Sequence, residues 1–70
     1  MKYAIIIEKS ATGYSAYTAD LPGCVATGGT LEETERLMRE AIEFHIEGLR
    51  LEGMEVPSPS TTVAVVEVAA

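Results

Sequence analysis

Apolar residues, many of them β-branched, form short runs bounded by turn residues along the first third of the chain, and a further run lies near its end. This pattern predicts four β-strands, over residues 2–9, 14–19, 24–27 and 61–68. The first and last of these have hydrophobic residues on both faces, as Ile5 and Ile7 against Ile6, or Val65 against Val66, illustrate. Such strands are typical of a sheet that is covered on two sides.

Between the third and fourth predicted strands, hydrophobic residues recur at helical spacing and predict one helix from residue 31 to about residue 52. Thr30 and Glu33 have the spacing of a capping box, and Gly53 suits the position just after the helix. The hydrophobic residues spread over roughly 220° of the helical wheel, more than a helix on one sheet needs. Part of the helix is therefore expected to contact something beyond its own sheet.

The element order is βββαβ, which predicts an α+β fold: a four-stranded mixed sheet with one helix packed on one face. A right-handed crossover through the helix would place strand four parallel to strand one, as in a truncated ribonuclease H-like fold. One helix covers only one face of this sheet. The apolar residues on the other face predict self-association, as a dimer or tetramer, or a protein partner.

The size and charge of the chain narrow the functional classes. Seventy residues form one small domain, and one cysteine allows no internal disulfide. A net charge of −6 argues against direct binding of nucleic acid and suits a basic protein partner. No apolar stretch is long enough to span a bilayer, and the first residues lack the pattern of a signal peptide. A cytoplasmic location is therefore expected.

The chain offers no convincing catalytic set. The carboxylates of Glu8, Asp20 and Glu67 are scattered over the predicted sheet, whereas a metal-dependent nuclease needs them clustered. His45 lies on the apolar side of the helix, and Cys24 has no neighbouring base or cation. We therefore expect no enzyme activity, no metal and no cofactor. A nuclease is kept as an alternative that RNA and DNA cleavage assays would test.

Three short motifs resemble the HicB antitoxin family. They are the Asp-Leu-Pro-Gly-Cys turn at residues 20–24, the Gly-Gly-Thr-Leu-Glu-Glu helix start at residues 28–33, and the Pro-Ser-Pro-Ser connector at residues 57–60. The family pattern usually has an acidic residue where this chain has Gly29. The resemblance implies a protein that binds a small basic HicA-like toxin and prevents it from degrading mRNA. Many relatives also carry a C-terminal DNA-binding domain. Residues 1–70 are expected to form a single HicB-like domain without one.

Six residues are predicted to contact a partner. They combine an aromatic side chain, the proline–glycine turn and the acidic side of the helix: Tyr17, Asp20, Leu21, Glu40, Glu43 and Glu47. The side chain of Asp20 is also predicted to cap the turn. The alternative function is a stand-alone homo-oligomeric interaction module without a toxin, whose partner the residues do not identify.

Overall fold

A computed structural model describes residues 1–70 and contains three strands followed by one helix. The antiparallel sheet has the order β1-β2-β3. Its strands and the helix are β1 (Ile6–Ser10), β2 (Gly13–Tyr17), β3 (Val25–Gly28) and α1 (Leu31–Leu51). The predicted α+β class is confirmed, with each of these elements within a few residues of its predicted bounds.

The two faces of the sheet have different surroundings. Ile7, Ala16 and Ala26 lie side by side across the three strands and face the helix, where Met38 packs against them. The helix therefore covers one face of the sheet, as predicted. The opposite face has no covering layer within the chain.

The proline–glycine turn between β2 and β3 places two buried side chains at the edge of the core. The backbone N–H of Cys24 donates to the carbonyl of Leu21 at 3.1 Å, and Gly23 has a φ of +82°. These values are those of a type II turn, which favours proline at its second position and glycine at its third. The turn directs Leu21 and Cys24 into the core, where both side chains are buried.

Local hydrogen bonds define both ends of the helix. The Thr30 side chain accepts from the Glu33 N–H at 3.1 Å, and the Glu33 carboxylate accepts from the Gly29 N–H at 2.8 Å. At the other end, the Gly53 N–H donates to the Arg50 carbonyl and the Met54 N–H to the Leu49 carbonyl, which is a Schellman motif. The capping box and the C′ glycine are thus confirmed, although the glutamate reaches one residue further back than in the usual box.

The predicted fourth strand is not formed in this chain. Residues 61–68 belong to no strand, and the sheet has three strands. The physical reason lies just before them, because Ser60 and Thr61 are hydrogen-bonded to Asp20 at the β2–β3 turn and not to the edge of β1. The four-stranded mixed sheet of a truncated ribonuclease H-like fold is therefore incomplete in the single chain.

Candidate interaction surfaces

The uncovered side of the sheet carries a continuous row of apolar side chains. Ile6 pairs with Tyr17, and Tyr17 pairs with Val25, so the three side chains are neighbours across all three strands. All three are exposed, Val25 to 64 %. We call these three residues the open sheet face. It provides a flat apolar surface of the kind that protein partners bury.

A second exposed surface lies on the side of α1 that faces away from the sheet. Phe44 is 68 % exposed and lies one helical turn from Glu40, Glu47 and Gly48. Leu51 is exposed one turn beyond, and Glu43 lies beside the same stripe. We call Glu40, Glu43, Phe44, Glu47 and Leu51 the outer helix surface. It combines an exposed aromatic side chain with three carboxylates, and it accounts for the surplus hydrophobic width of the helix.

The carboxylates of this surface differ in their pairing. Glu40 accepts a hydrogen bond from Arg36 at 3.2 Å, which is an ion pair one turn apart on the helix. Glu43 and Glu47 form no ion pair within the chain. These two side chains are exposed, and neither is neutralised by a direct ion pair, although Arg39 and Arg50 lie one helical turn away.

The six residues predicted to contact a partner do not form one cluster. Tyr17 belongs to the open sheet face, whereas Glu40, Glu43 and Glu47 lie on the helix that packs on the other side of the sheet. Leu21 is 0 % exposed. It has no surface to offer a partner, because it packs in the core between the sheet and the helix.

Asp20, the sixth residue, holds the C-terminal part of the chain. Its carboxylate accepts from the side-chain hydroxyls of Ser60 and Thr61, both at 3.0 Å, and from their backbone N–H groups, both at 3.3 Å. The prediction that this side chain caps the proline–glycine turn is wrong, because all of its hydrogen bonds go to residues forty positions away. Desolvation raises the pKa of Asp20, but these four hydrogen bonds favour the charged form and together bring its pKa below the usual value.

The lowered pKa of Asp20 predicts that acid releases this anchor. A carboxyl group whose pKa is depressed by folding stabilises the folded contacts above its unfolded pKa, and that contribution disappears as the pH falls through the folded value. We expect the amide chemical shifts of Ser60 and Thr61 to move together below about pH 4. The Asp20→Asn variant should show the shifted values at neutral pH. Amide shifts that stay constant between pH 5 and pH 2 would contradict this assignment, and Glu55→Gln, at an exposed carboxyl, is the control.

The side chains with potential chemistry are dispersed. Cys24 is buried, and desolvation raises the pKa of its thiol. His45 is half-buried beside it in a shallow hollow between α1 and the start of β3. No group of three or more His, Cys, Asp or Glu side chains is placed to hold a metal ion. No helix of the structure has both the length and the apolar character that crossing a bilayer requires.

Two features of these surfaces escaped sequence reasoning. Phe44 falls within the wide hydrophobic arc of the predicted helix, but its place at the edge of that arc, next to Glu40 and Glu47, is a signal for exposure. The pairing of Asp20 with Ser60 and Thr61 joins residues far apart in sequence, and no local pattern indicates it. The structure thus reveals one exposed aromatic side chain on the helix and one set of hydrogen bonds between distant residues.

Comparison with known proteins agrees with these motifs. A family model described as the HicB-like antitoxin of bacterial toxin–antitoxin systems matches residues 3–69. A protein from the rep-hol intergenic region of Haemophilus phage HP1 is 46 % identical over 57 residues, which are 81 % of this chain and 43 % of that protein. The chain therefore spans less than half the length of this phage relative.

Other relatives are closer in size. A UPF0150 protein of Helicobacter pylori is 37 % identical over 65 residues, covering 91 % of this chain and 90 % of the relative. Among solved structures, a chain of the HicA3 and HicB3 toxin–antitoxin complex has a TM-score of 0.74 and 37 % identity, covering 86 % of this chain and 70 % of that one. Both the sequence and the three-dimensional arrangement are thus shared.

Proposed function

The chain belongs to the HicB-like antitoxin family, and on this basis we propose that it binds and neutralises a small, basic, mRNA-degrading toxin of the HicA type in the cytoplasm. The observation that carries the proposal is the similarity, at 37 % identity, to a chain of a toxin–antitoxin complex. The function is inhibition by binding. It requires no catalytic group of this chain, no metal and no cofactor.

The outer helix surface is the site that we propose for the toxin. Its carboxylates belong to a chain with a net charge of −6, so the field of the whole molecule attracts a basic partner. Exposed Phe44 lies among them and provides an anchor of the type that dominates binding energy once it is buried. Charge would govern the rate of encounter, and the aromatic contact would govern the lifetime of the complex.

Charge reversal on the helix tests this placement. We expect the Glu43→Lys/Glu47→Lys variant to bind a HicA-like toxin with an association rate constant about tenfold lower at low salt, because electrostatic steering is reversed locally. The difference should shrink as salt is added. Neither carboxylate has an ion pair to lose, so the helix itself should remain folded.

The matched control changes the net charge by the same amount elsewhere. Glu8 on β1 and Glu55 after the helix are both exposed, and the Glu8→Lys/Glu55→Lys variant leaves the outer helix surface intact. Association rates, measured by surface plasmon resonance at several salt concentrations, should fall less for this control. Equal rates for the two double variants would refute the placement of the toxin on the helix.

The open sheet face favours the second candidate function, a homo-oligomeric interaction module. Its row of Ile6, Tyr17 and Val25 lies opposite the outer helix surface, so a second copy can cover it without occupying the proposed toxin site. In this role Tyr17 contacts another copy of the chain. An oligomer that ignores every HicA-like toxin would favour this function over the first.

A further inference from the structure

The C-terminal arm, residues 62–68, is exposed along its whole length. Every residue in it is exposed, Val65 to 96 %, and none of them takes part in a hydrogen bond. The radius of gyration is 13.7 Å, whereas a compact domain of 70 residues has about 11 Å. The arm is thus an extended, valine-rich segment that projects from a small domain.

The same molecule has an unoccupied strand edge. β1 pairs with β2 on one side only, so its outer edge presents N–H and C=O groups without strand partners. Next to it lies an open groove of about 1030 Å³ between the N-terminal segment and α1. Half-buried Ile5, Ile42 and Ile46 line its apolar part, in contact with the core.

The chain's own arm is directed away from this edge. The Tyr3 hydroxyl donates to the carbonyl of Pro57, and Asp20 then holds Ser60 and Thr61. If the pairing of β1 with β2 is extended beyond Ile6 and Tyr17 in the same register, Tyr3 lies opposite Asp20. The chain therefore passes across the end of the sheet from β1 towards β2 before the arm begins.

We infer that the C-terminal arm of one copy adds as a fourth strand to the outer edge of β1 in a second copy. The arm suits this position because both of its faces are apolar. In a strand, one set of alternate side chains would cover the groove over Ile5, Ile42 and Ile46. The other set would extend the open sheet face.

Reciprocal exchange of the two arms gives a closed, twofold-symmetric dimer, in which the outer edge of each β1 and each free arm is used once. The exchange also explains why residues 61–68 have the pattern of a strand covered on two sides although the single chain provides no partner for them. Glu43, Glu47 and Leu51 of the outer helix surface also line the groove beside β1, so the arm of the second copy would lie beside them, whereas Phe44 is outside the groove. Arm exchange concerns the chain alone, and its test needs no toxin.

Proline in the arm tests the exchange, since proline removes a ladder hydrogen bond and blocks the pairing of its neighbours. We expect light scattering to give twice the 7.5 kDa chain mass for the wild type. The Val65→Pro variant should have a dimer dissociation constant about tenfold or more higher. Val65 is 96 % exposed in the chain, so the variant monomer should fold normally. Ala70→Pro, a proline in the same tail but outside the arm, should leave the dimer unchanged.

The identity of the partner edge is tested by mixing isotopically labelled and unlabelled copies. Isotope-filtered NMR should detect contacts between the arm valines of one copy and Ile5, Ile42 or Ile46 of the other. A monomer in solution would overturn the inference. So would arm contacts that occur only within one copy, or a dimer that Val65→Pro leaves as tight as the wild type.

Discussion

Replacing Phe44 with alanine is expected to weaken the binding of a HicA-like toxin by about 30-fold, the equivalent of about 2 kcal/mol at an interface hot spot. Phe44 is 68 % exposed in the free chain, so truncating it removes little of the folded core. In the complex, its ring would be enclosed by partner atoms while the carboxylates around it form the charged rim. Titration calorimetry at a fixed salt concentration measures the change.

The matched control is Ile6→Ala, which removes an exposed apolar side chain from the open sheet face, on the other side of the sheet from α1. It should change the toxin affinity by less than about threefold, as expected for a residue outside the contact surface. Circular dichroism of both variants should show the wild-type helix content. Wild-type affinity in the Phe44→Ala variant would move the toxin site away from the outer helix surface.

Replacing Met38 with alanine is expected to lower the free energy of unfolding by about 3 kcal/mol, because it leaves a cavity at the centre of the core. Met38 is 0 % exposed and packs between α1 and the helix-facing side of the sheet. In a domain of this size, the same loss corresponds to a decrease in melting temperature of about 12 to 24 °C. Thermal denaturation at a fixed protein concentration measures it, since self-association would also raise the apparent stability.

Met54→Ala is the matched control for this effect. Met54 is 54 % exposed just after the helix, so the same chemical change there should alter the free energy of unfolding by less than about 0.5 kcal/mol. If both variants melted at the wild-type temperature, Met38 would not be the centre of the core. If both were equally destabilised, the effect would belong to the lost methionine side chain rather than to its burial.

The features that sequence predicted well are those that local chemistry determines. The Pro22-Gly23 turn, the Thr30 cap and the C′ position of Gly53 each depend on the conformational preferences and side-chain oxygens of a few adjacent residues. All of these predictions are confirmed.

The features that sequence did not predict depend on contacts between distant residues. A run of apolar, valine-rich residues identified residues 61–68 as strand-like, but whether a strand forms depends on which sheet edge the segment can reach. The hydrogen bonds from Ser60 and Thr61 to Asp20 determine where this segment begins on the sheet. They join residues about forty positions apart, so no local pattern indicates them.

Contacts between distant residues also decide which side chains share a surface. Tyr17 and the helix carboxylates were predicted to contact a partner because tyrosine is enriched at binding hot spots and acidic side chains attract a basic protein. Only the packing of α1 on the opposite side of the sheet separates them into two surfaces. Leu21 belongs to the conspicuous turn motif, yet that turn directs its side chain inward to full burial.

The most direct test of the proposed function is an RNA-cleavage assay of a HicA-like toxin, titrated with the purified chain. Cleavage should fall in proportion to the chain added and stop once the two proteins reach a fixed stoichiometry. Full cleavage in the presence of an excess of the folded chain would contradict the proposed function.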